Sequence, residues 1–311
     1  MRELQYLTLD NNNLSELPET IGNLNKLFYL SLNKNKLREL PNSIGQLKKL
    51  LSLKLDENDI SKINDSLCQL SKLQDLHLNF NKIKNLPKSI GSLKNLETLG
   101  LQSNYLTKLP SSIKSLEKLK VLRISENVFN KLDFSIWEIK NLKTLYASQN
   151  KIRELLIPKH ISSNLEELFL DYNELIHLPE AIDNIKNLKY MDISNNKLYD
   201  LPNSISNLER LEELILSNNK FEYFPRCLAN LKKLKSLGLG DNNLSEIPLL
   251  IENLSNLEIL NLMYNKLTKL PKSISKLKKL KKLYLTGNNF SKSEIENIKE
   301  WLPDCRIVFA K

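Results

Sequence analysis

The 311-residue sequence predicts an α/β solenoid, a curved right-handed coil with a parallel sheet on its concave face and short 3₁₀ or α segments on its convex face. Three observations support this prediction. An asparagine recurs at every twenty-third position, alternating leucines precede it, and a Leu-Pro pair follows it in most repeats. The thirteen repeated asparagines are Asn12, Asn35, Asn58, Asn81, Asn104, Asn127, Asn150, Asn173, Asn196, Asn219, Asn242, Asn265 and Asn288.

The alternating leucines predict the strands of the sheet. Leu30 and Leu32 illustrate the pattern, in which every second side chain points to one side of the strand and is buried. Stacked repeats pair such strands side by side at about 4.8 Å. Asn35 follows in a turn, where its side chain can both donate to and accept from buried backbone groups. We therefore expect a ladder of asparagine side chains along the coil.

The Leu-Pro pair predicts the passage of the chain onto the convex side. Pro41 has its φ fixed at about −65° and donates no hydrogen bond, which suits a change from extended to helical backbone. Ile44 and Leu47 then lie three residues apart, a spacing typical of a 3₁₀ helix or a single α turn. Asn64 and Asp133 replace the proline in two repeats, and we expect a looser turn there.

The repeat that contains Asn150 departs from this pattern. Its proline and isoleucine, Pro158 and Ile161, come two residues late, and the polar Ser162 lies near an expected core position. The strand pattern resumes at once from Leu165. We interpret the departure as a local bulge on the convex side rather than as a domain boundary.

The repeats are predicted to occupy residues 1–290, and residues 291–311 to form a C-terminal cap of one helix and a final strand. Ser291 or Ser293 can cap the helix, whose apolar side includes Ile295 and Ile298. At the other end, residues 1–9 enter directly on a strand. Either this edge is frayed or the natural chain extends further upstream.

The repeat unit LxxLxLxxNxLxxLPxxIxxL resembles the 23-residue class of leucine-rich repeats. That class occurs in the Ras-group scaffolds of plants and animals, in Roco-type proteins and in bacterial proteins, including those of pathogenic spirochaetes. Residues 287–307 are similar to the ending of the bacterial members. The paired-cysteine caps of eukaryotic extracellular members are absent from the sequence. The resemblance covers nearly the whole chain and implies protein binding without naming a partner.

Outward side chains of the strands and the adjoining turns form the predicted binding surface on the concave face. Aromatic and apolar residues gather there in repeats six to ten, and acidic residues surround them. Adjacent strands about 4.8 Å apart would join these side chains into about 20 Å of continuous surface. Aromatic residues and arginine ringed by charge are typical of a binding hot spot. The predicted partner-binding residues are Arg123, Tyr146, Phe169, Tyr172, Tyr190, Asp192 and Ile215.

Two other interpretations of the exposed aromatic residues stay open. They can belong to a variable surface that binds nothing, since apolar atoms are common on any protein surface. A second cluster on the same face is the weaker candidate site. It contains Ile259, Met263, Tyr264 and Tyr284.

The formal net charge of +10 raises the question of nucleic-acid binding. The five outward positions of the thirteen repeats carry a combined charge of −2, so the positive excess lies away from the concave face. Only 7 of the 46 basic residues are arginine, and no aromatic residues are interleaved with the lysines to stack bases. The sequence therefore disfavours nucleic acid as a partner.

No catalytic or cofactor-binding motif is present in the sequence. It lacks a P-loop, an HExxH and a GxSxG motif, and we expect neither enzymatic activity nor a cofactor. His77 lies within possible reach of Asp56 and Asp75, and we interpret it as a solvated surface histidine. The three cysteines match no metal-binding spacing, and we predict three free thiols.

The sequence thus predicts a monomeric, non-catalytic module that binds a protein or peptide on its concave face. The alternatives are recognition of a glycan or an anionic polymer, or a role as the sensor or scaffold segment of a larger protein. No apolar run is long enough for a membrane span, and the first residues lack a signal peptide. We expect a cytoplasmic protein, or a secreted or surface protein if a signal sequence precedes Met1 in the natural chain.

Overall fold

The structure, a computed structural model, describes residues 3–161 and 163–309. The chain divides into two compact units, each with parallel strands and buried apolar side chains. Unit 1 contains residues 1–152 and 156–165, and unit 2 contains residues 153–155 and 166–311. The division falls in the repeat of Asn150, where the sequence predicts a local bulge. Ser162, the polar residue of that segment, lies outside the described residues.

Unit 1 contains a parallel sheet to which each of its repeats contributes one strand. Partner residues on successive strands are separated by one repeat, as for Leu30 and Leu53. A two-residue strand, β7 (Lys131–Leu132), precedes the last strand of this sheet in the sequence. The sheet strands are β1 (Tyr6–Thr8), β2 (Tyr29–Ser31), β3 (Ser52–Lys54), β4 (Asp75–His77), β5 (Thr98–Gly100), β6 (Val121–Arg123) and β8 (Thr144–Tyr146).

Short helical segments form the opposite side of unit 1. Proline usually precedes them in extended conformation, as at Pro41 with φ −66° and ψ 154°. Asn64 adopts the same conformation, and its Nδ2 donates to the Leu40 carbonyl at 2.9 Å, so the looser turn predicted there is wrong. After Asp133 the chain forms a short α-helix, α1 (Phe134–Trp137). The 3₁₀ helices are Glu19–Asn23, Asn42–Gln46, Asp65–Gln69, Lys88–Ser92 and Ser111–Ser115.

Unit 2 begins with the two-residue strand β9 (Glu154–Leu155) and contains a run of parallel sheet strands. These strands are β10 (Glu167–Phe169), β11 (Tyr190–Asp192), β12 (Glu213–Ile215), β13 (Ser236–Gly238), β14 (Ile259–Asn261), β15 (Lys282–Tyr284) and β16 (Arg306–Val308). Its 3₁₀ helices are Glu180–Asn184, Asn203–Asn207, Arg226–Asn230, Leu249–Asn253 and Lys272–Lys276.

The C-terminal segment contains the predicted helix and final strand. Helix α2 (Lys292–Trp301) begins after Ser291, whose Oγ accepts from the Glu294 amide at 3.2 Å, so Ser291 is the cap. Ile298 packs in the core, and β16 pairs in parallel with β15. The treatment of residues 291–311 as a separate cap stays a prediction. Within the described ranges, none of the helices combines the length and the apolar character that crossing a bilayer requires.

The asparagine ladder is present in both units. Asn58 donates from Nδ2 to the carbonyls of Leu32 at 2.9 Å and Leu55 at 3.1 Å, and its Oδ1 accepts from the Leu37 amide at 3.0 Å. Asn219 in unit 2 makes the corresponding bonds to its own and the preceding repeat. Each such side chain therefore joins two repeats and satisfies backbone groups that the apolar core would otherwise leave unpaired.

The residue before each ladder asparagine has left-handed backbone conformation. In unit 1 these residues include Lys34 (φ 55°), Glu57 (φ 56°) and Phe80 (φ 55°), and only the last repeat places a glycine there, Gly287 (φ 72°). The left-handed region costs an L-residue about 1 kcal/mol or more. The turn therefore carries local strain that the asparagine bonds on either side of it offset.

Candidate functional site

The candidate site lies on the open face of the sheet strands in each unit. We define the sheet face as the first and third side chains of every strand together with the turn residues that follow. In the three-residue strands from β2 to β15 the middle side chain is buried in the core, as Leu122 and Leu168 show. The flanking side chains are exposed or half-buried, apart from Ser31, Gly100 and Gly238. This alternation is the period-two pattern of a half-buried strand. It fixes which residues of each repeat can meet a partner.

Two of the predicted residues, Arg123 and Tyr146, lie in unit 1 on paired positions of β6 and β8. The Arg123 guanidinium carbon is 4.7 Å from the centroid of the Tyr146 ring, a cation–π distance. Both side chains are half-buried and neither is tucked into the core. The two residues therefore form one contiguous aromatic and cationic surface.

The other five predicted residues lie in unit 2. Phe169 and Tyr190 stack with ring centroids 4.8 Å apart at an angle of 34°. Asp192 pairs with Phe169 on one side and Ile215 on the other, in register across β10, β11 and β12. Tyr172 occupies the left-handed turn position with 56% of its surface exposed. The continuous surface predicted from Arg123 to Ile215 stays a prediction.

Carboxylates dominate the electrostatics of the unit 2 residues. Burial, together with the charges of Asp192, Glu213, Asp171 and Glu167, raises the pKa of Tyr190 to about 12. Burial also raises the pKa of Asp192, and the charge of Asp171 adds to this effect. The Ser194 amide and hydroxyl both donate to Asp192 Oδ1, at 2.9 and 2.7 Å, and hold the carboxylate in place. Because its pKa is raised, the Tyr190 hydroxyl stays neutral and can donate a hydrogen bond.

The second predicted cluster has a similar exposure, but within residues 3–161 and 163–309 its tyrosines do not pair with another ring. Tyr264 is exposed at its left-handed position, and Ile259, Met263 and Tyr284 are half-buried on the same sheet face. These side chains offer apolar surface in unit 2 without the stacked rings of Phe169 and Tyr190. They stay the weaker candidate.

A second side-chain ladder on the sheet face of unit 1 was missed by sequence reasoning. Asp10 accepts from the Asn33 amide at 2.6 Å, Asn33 from the Asp56 amide at 2.8 Å, and Asp56 from the Asn79 amide at 2.7 Å. The signal was available, because these residues all lie two positions before a ladder asparagine. Burial raises the pKa of Asp56.

His77 lies beside the Asp56 carboxylate, which belongs to this second ladder. Its Nδ1 is 3.8 Å from Asp56 Oδ2, while Asp56 Oδ1 accepts from both the amide and the side chain of Asn79. Asp56 therefore has a structural role in joining repeats. Residues 3–161 and 163–309 contain no group of acidic, histidine and cysteine side chains that could hold a metal ion.

Two further features were not anticipated from the sequence. In unit 1, Tyr6 and Tyr29 have ring centroids 6.4 Å apart, and Lys54 Nζ lies 5.4 Å from the Tyr29 centroid. In unit 2, a groove of about 690 Å³ runs along the flank, away from the sheet face, and includes Tyr199 and Tyr223, which are 62% and 71% exposed. Aromatic residues at nearly equivalent positions of adjacent repeats were the available signal for this groove.

The three cysteines are free. Cys68 and Cys227 are buried and Cys305 is half-buried. Burial raises the pKa of Cys227 and of Cys305 to about 11, and nearby Asp200 adds to the shift at Cys227. These thiols are therefore protonated and weakly nucleophilic near neutral pH.

Comparison with known proteins agrees with the geometry of the repeats. The family described as a leucine-rich repeat region matches residues 1–78 and 61–168, and the family described as leucine rich repeat matches residues 186–244 and 232–290. None of the curated proteins matches the sequence significantly.

Solved structures of three kinds of protein are similar to this chain. A leucine-rich-repeat protein of Leptospira interrogans is 36% identical, with a TM-score of 0.82 over 99% of this chain and 84% of that one. A plant peptide hormone receptor, RGFR1 in complex with RGF2, is 30% identical, with a TM-score of 0.66 over 95% of this chain but only 46% of that one.

The third structure, an internalin of Listeria monocytogenes, shares the fold at 22% identity, with a TM-score of 0.74 over 99% of this chain and 82% of that one. The predicted α/β repeat fold, with its parallel strands and short 3₁₀ segments, is confirmed. The chain belongs to the leucine-rich-repeat family, which has bacterial members.

Proposed function

We propose that this protein is a non-catalytic interaction module that binds a protein or peptide through its sheet face. The observation that carries the proposal is the pairing of half-buried ring systems on that face. Arg123 lies on Tyr146 in unit 1, and Phe169 stacks on Tyr190 in unit 2. Aromatic residues and arginine contribute most of the binding energy in protein interfaces when a partner covers them.

The rigidity of the sheet supports the same proposal. Tyr146, Phe169 and Tyr190 project from short strands whose neighbours are fixed by hydrogen bonds and by the asparagine ladder. A partner therefore meets side chains that lose little conformational freedom on binding. A relative whose structure is that of a peptide hormone receptor with its peptide has the same fold, and this also favours a peptide or protein ligand.

The lysine-rich side of the repeats does not favour an anionic polymer. Several lysines that directly precede a strand make ion pairs with glutamates of the preceding repeat. Examples are Lys120 with Glu97 at 2.6 Å and Lys189 with Glu166 at 2.7 Å. These pairs balance part of the positive charge locally, and exposed ion pairs of this kind are typical of a solvated surface. We propose that the protein acts as a monomer and needs no cofactor.

The proposal is tested by selecting peptides from a displayed random library on the wild-type chain and measuring their affinity for variants. Tyr146→Ala combined with Phe169→Ala removes one ring from each unit, and we expect the affinity to fall about 100-fold. The far-UV circular dichroism should stay unchanged, because both side chains lie outside the core.

Tyr199→Ala combined with Tyr223→Ala is the matched control. It removes two exposed tyrosines from the flank groove of unit 2 and leaves the sheet face intact. We expect these variants to bind the selected peptides within about threefold of the wild type. Unchanged binding by the Tyr146→Ala/Phe169→Ala variant would discard the sheet face as the binding surface.

A further inference from the structure

The outward side chains of β10, β11 and β12 alternate between carboxylates and apolar groups. Register pairing arranges these side chains in two columns across the three strands. The columns are Glu167, Tyr190, Glu213 and Phe169, Asp192, Ile215. Side chains that are neighbours in a column lie on strands about 4.8 Å apart, so each carboxylate stands beside a ring or an aliphatic group. We call these six side chains the acidic aromatic patch.

The carboxylates of the acidic aromatic patch lie close to its ring pair. None of its six side chains is basic, although the whole chain carries a net charge of +10. Glu167, Asp192 and Glu213 all act on the Tyr190 hydroxyl, and Asp171 in the following turn acts on it as well. Like charges held this close repel one another, and a cation placed among them would relieve the repulsion.

The sheet face of unit 1 shows which cations such rings accept. There the chain supplies its own, since Arg123 lies 4.7 Å from the Tyr146 ring and Lys54 lies 5.4 Å from the Tyr29 ring. Arg123 and Tyr146 are register partners on adjacent strands. In unit 2 the corresponding neighbours of the rings are carboxylates. None of the six side chains of the acidic aromatic patch is itself a cation, and an arginine of a partner can take beside its rings the place that Arg123 takes beside Tyr146.

We propose that the acidic aromatic patch binds a cationic segment of a protein or peptide, with an arginine side chain placed against the Phe169–Tyr190 ring pair. A guanidinium group stacks on aromatic faces and donates hydrogen bonds in a planar fork that matches carboxylates. Its aliphatic stem suits the apolar surface of Ile215. This inference rests on the proposed function and names the chemistry of the partner. An anionic polymer would meet four carboxylates at this surface.

The test uses the intact chain and three short peptides as probes. One alternates arginine with glycine, and the other two replace arginine by serine or by glutamate. Titration calorimetry at low ionic strength should give a wild-type affinity for the arginine peptide at least about tenfold above that for the serine peptide. The glutamate peptide should not bind.

Matched variants separate the acidic aromatic patch from diffuse attraction by charge. Glu167→Gln combined with Glu213→Gln removes two exposed carboxylates from the patch, and binding of the arginine peptide should weaken at least about tenfold. Glu180→Gln combined with Glu252→Gln makes the same change in net charge on the 3₁₀ segments of unit 2. This control should weaken binding less than about threefold.

Three results would overturn the inference: equal weakening in both variants, equal affinity for the arginine and glutamate peptides, or no binding of the arginine peptide at millimolar concentration. The peptides selected by display distinguish this failure from failure of the proposed function. If Tyr146→Ala/Phe169→Ala abolishes their binding and Glu167→Gln/Glu213→Gln does not, the sheet face binds partners without a preference for cations. If neither variant changes their binding, the proposed function fails as well.

Discussion

The buried ladder asparagines use the whole side-chain amide inside the coil. Asn104 is only 5% exposed, and its Nδ2 donates to the carbonyls of Leu78 at 2.9 Å and Leu101 at 3.1 Å. Its Oδ1 accepts from the Ile83 amide at 2.9 Å. Only asparagine and glutamine have an uncharged side chain with two N–H donors and a carbonyl acceptor, and glutamine is one methylene longer. The recurrence of asparagine is therefore a requirement of the turn.

Replacement of Asn104 by alanine should lower the free energy of unfolding by about 3 kcal/mol, because buried backbone groups of two repeats lose their partners. Urea denaturation measures this loss. Asn95→Ala is the matched control. Its side chain makes only exposed bonds, donating to the Ser71 carbonyl at 2.8 Å and accepting from Lys118 Nζ at 2.8 Å, and its loss should cost less than about 1 kcal/mol. Equal losses in the two variants would contradict a structural role for the buried ladder.

At the scale of the element, the turn after each strand was only partly predictable. The sequence predicts that Asn35 lies in a turn, but it does not reveal that the residue before each ladder asparagine is left-handed. Lys34, Glu57 and Phe80 have no common chemistry. Residues that favour positive φ occupy the position in only some repeats, namely Asn11, Asn195, Asn218, Asp241 and Gly287. The conformation is imposed by stacking on neighbouring repeats, so local residue preference does not encode it.

Glycine at this position should relieve the strain of the turn. Glu57 has φ 56°, and its side chain makes an exposed ion pair with Lys34 at 3.7 Å. Glu57→Gly and Glu57→Ala both remove that ion pair, so their difference isolates the backbone effect. We expect the glycine variant to be more stable than the alanine variant by about 1 kcal/mol in urea denaturation. A more stable alanine variant would mean that the turn carries no such strain.

The strands were predictable because only one register of each strand buries its alternating leucines. Leu30, Leu53 and Leu76 are fully buried middle residues of their strands, and a shift by one residue would expose all three.

The turn at Asn64 was not predictable in the same way. Its side chain donates to the Leu40 carbonyl of the preceding repeat, a bond between repeats that replaces the fixed φ of proline. Such a contact is visible only once the repeats are stacked.

At the scale of the whole molecule, the fixed repeat length allowed candidate site residues to be chosen from the sequence. Residues one repeat apart become register partners, as Arg123 and Tyr146 do in unit 1 and Tyr190 and Glu213 do in unit 2. The stacking of Phe169 on Tyr190 and the convergence of four carboxylates on one hydroxyl were not predictable, because they depend on rotamers and burial. The sequence thus predicts which residues of the sheet face become neighbours, but not how their side chains interact.

The same repeat length produces a column of alternating charge in unit 2. Lys189 pairs with Glu166, Lys235 with Glu212 and Lys281 with Glu258, at 2.6 to 2.7 Å. Hydrogen bonds and charge from these lysines lower the pKa of Glu212 and of Glu258, while Glu212 raises the pKa of Lys235. Each interior member therefore has opposite charges on both sides, which a repeat with the same residue at every position could not provide.

This column should make the stability of unit 2 depend on pH in a specific direction. Because folding lowers the pKa of Glu212 and Glu258, their contribution is present above the ordinary value of 4.5 and is lost as the pH falls through the lowered values. Lys235→Gln should therefore destabilise the protein near neutral pH more than it does well below pH 4.5, where its two partners are protonated. Urea denaturation at the two pH values measures the difference.

Lys232→Gln is the control, since Lys232 donates to the Ala229 and Asn253 carbonyls and its effect should not change with pH. If the effect of Lys235→Gln is the same at both pH values, the alternation contributes nothing to stability and the column is only a solvated surface.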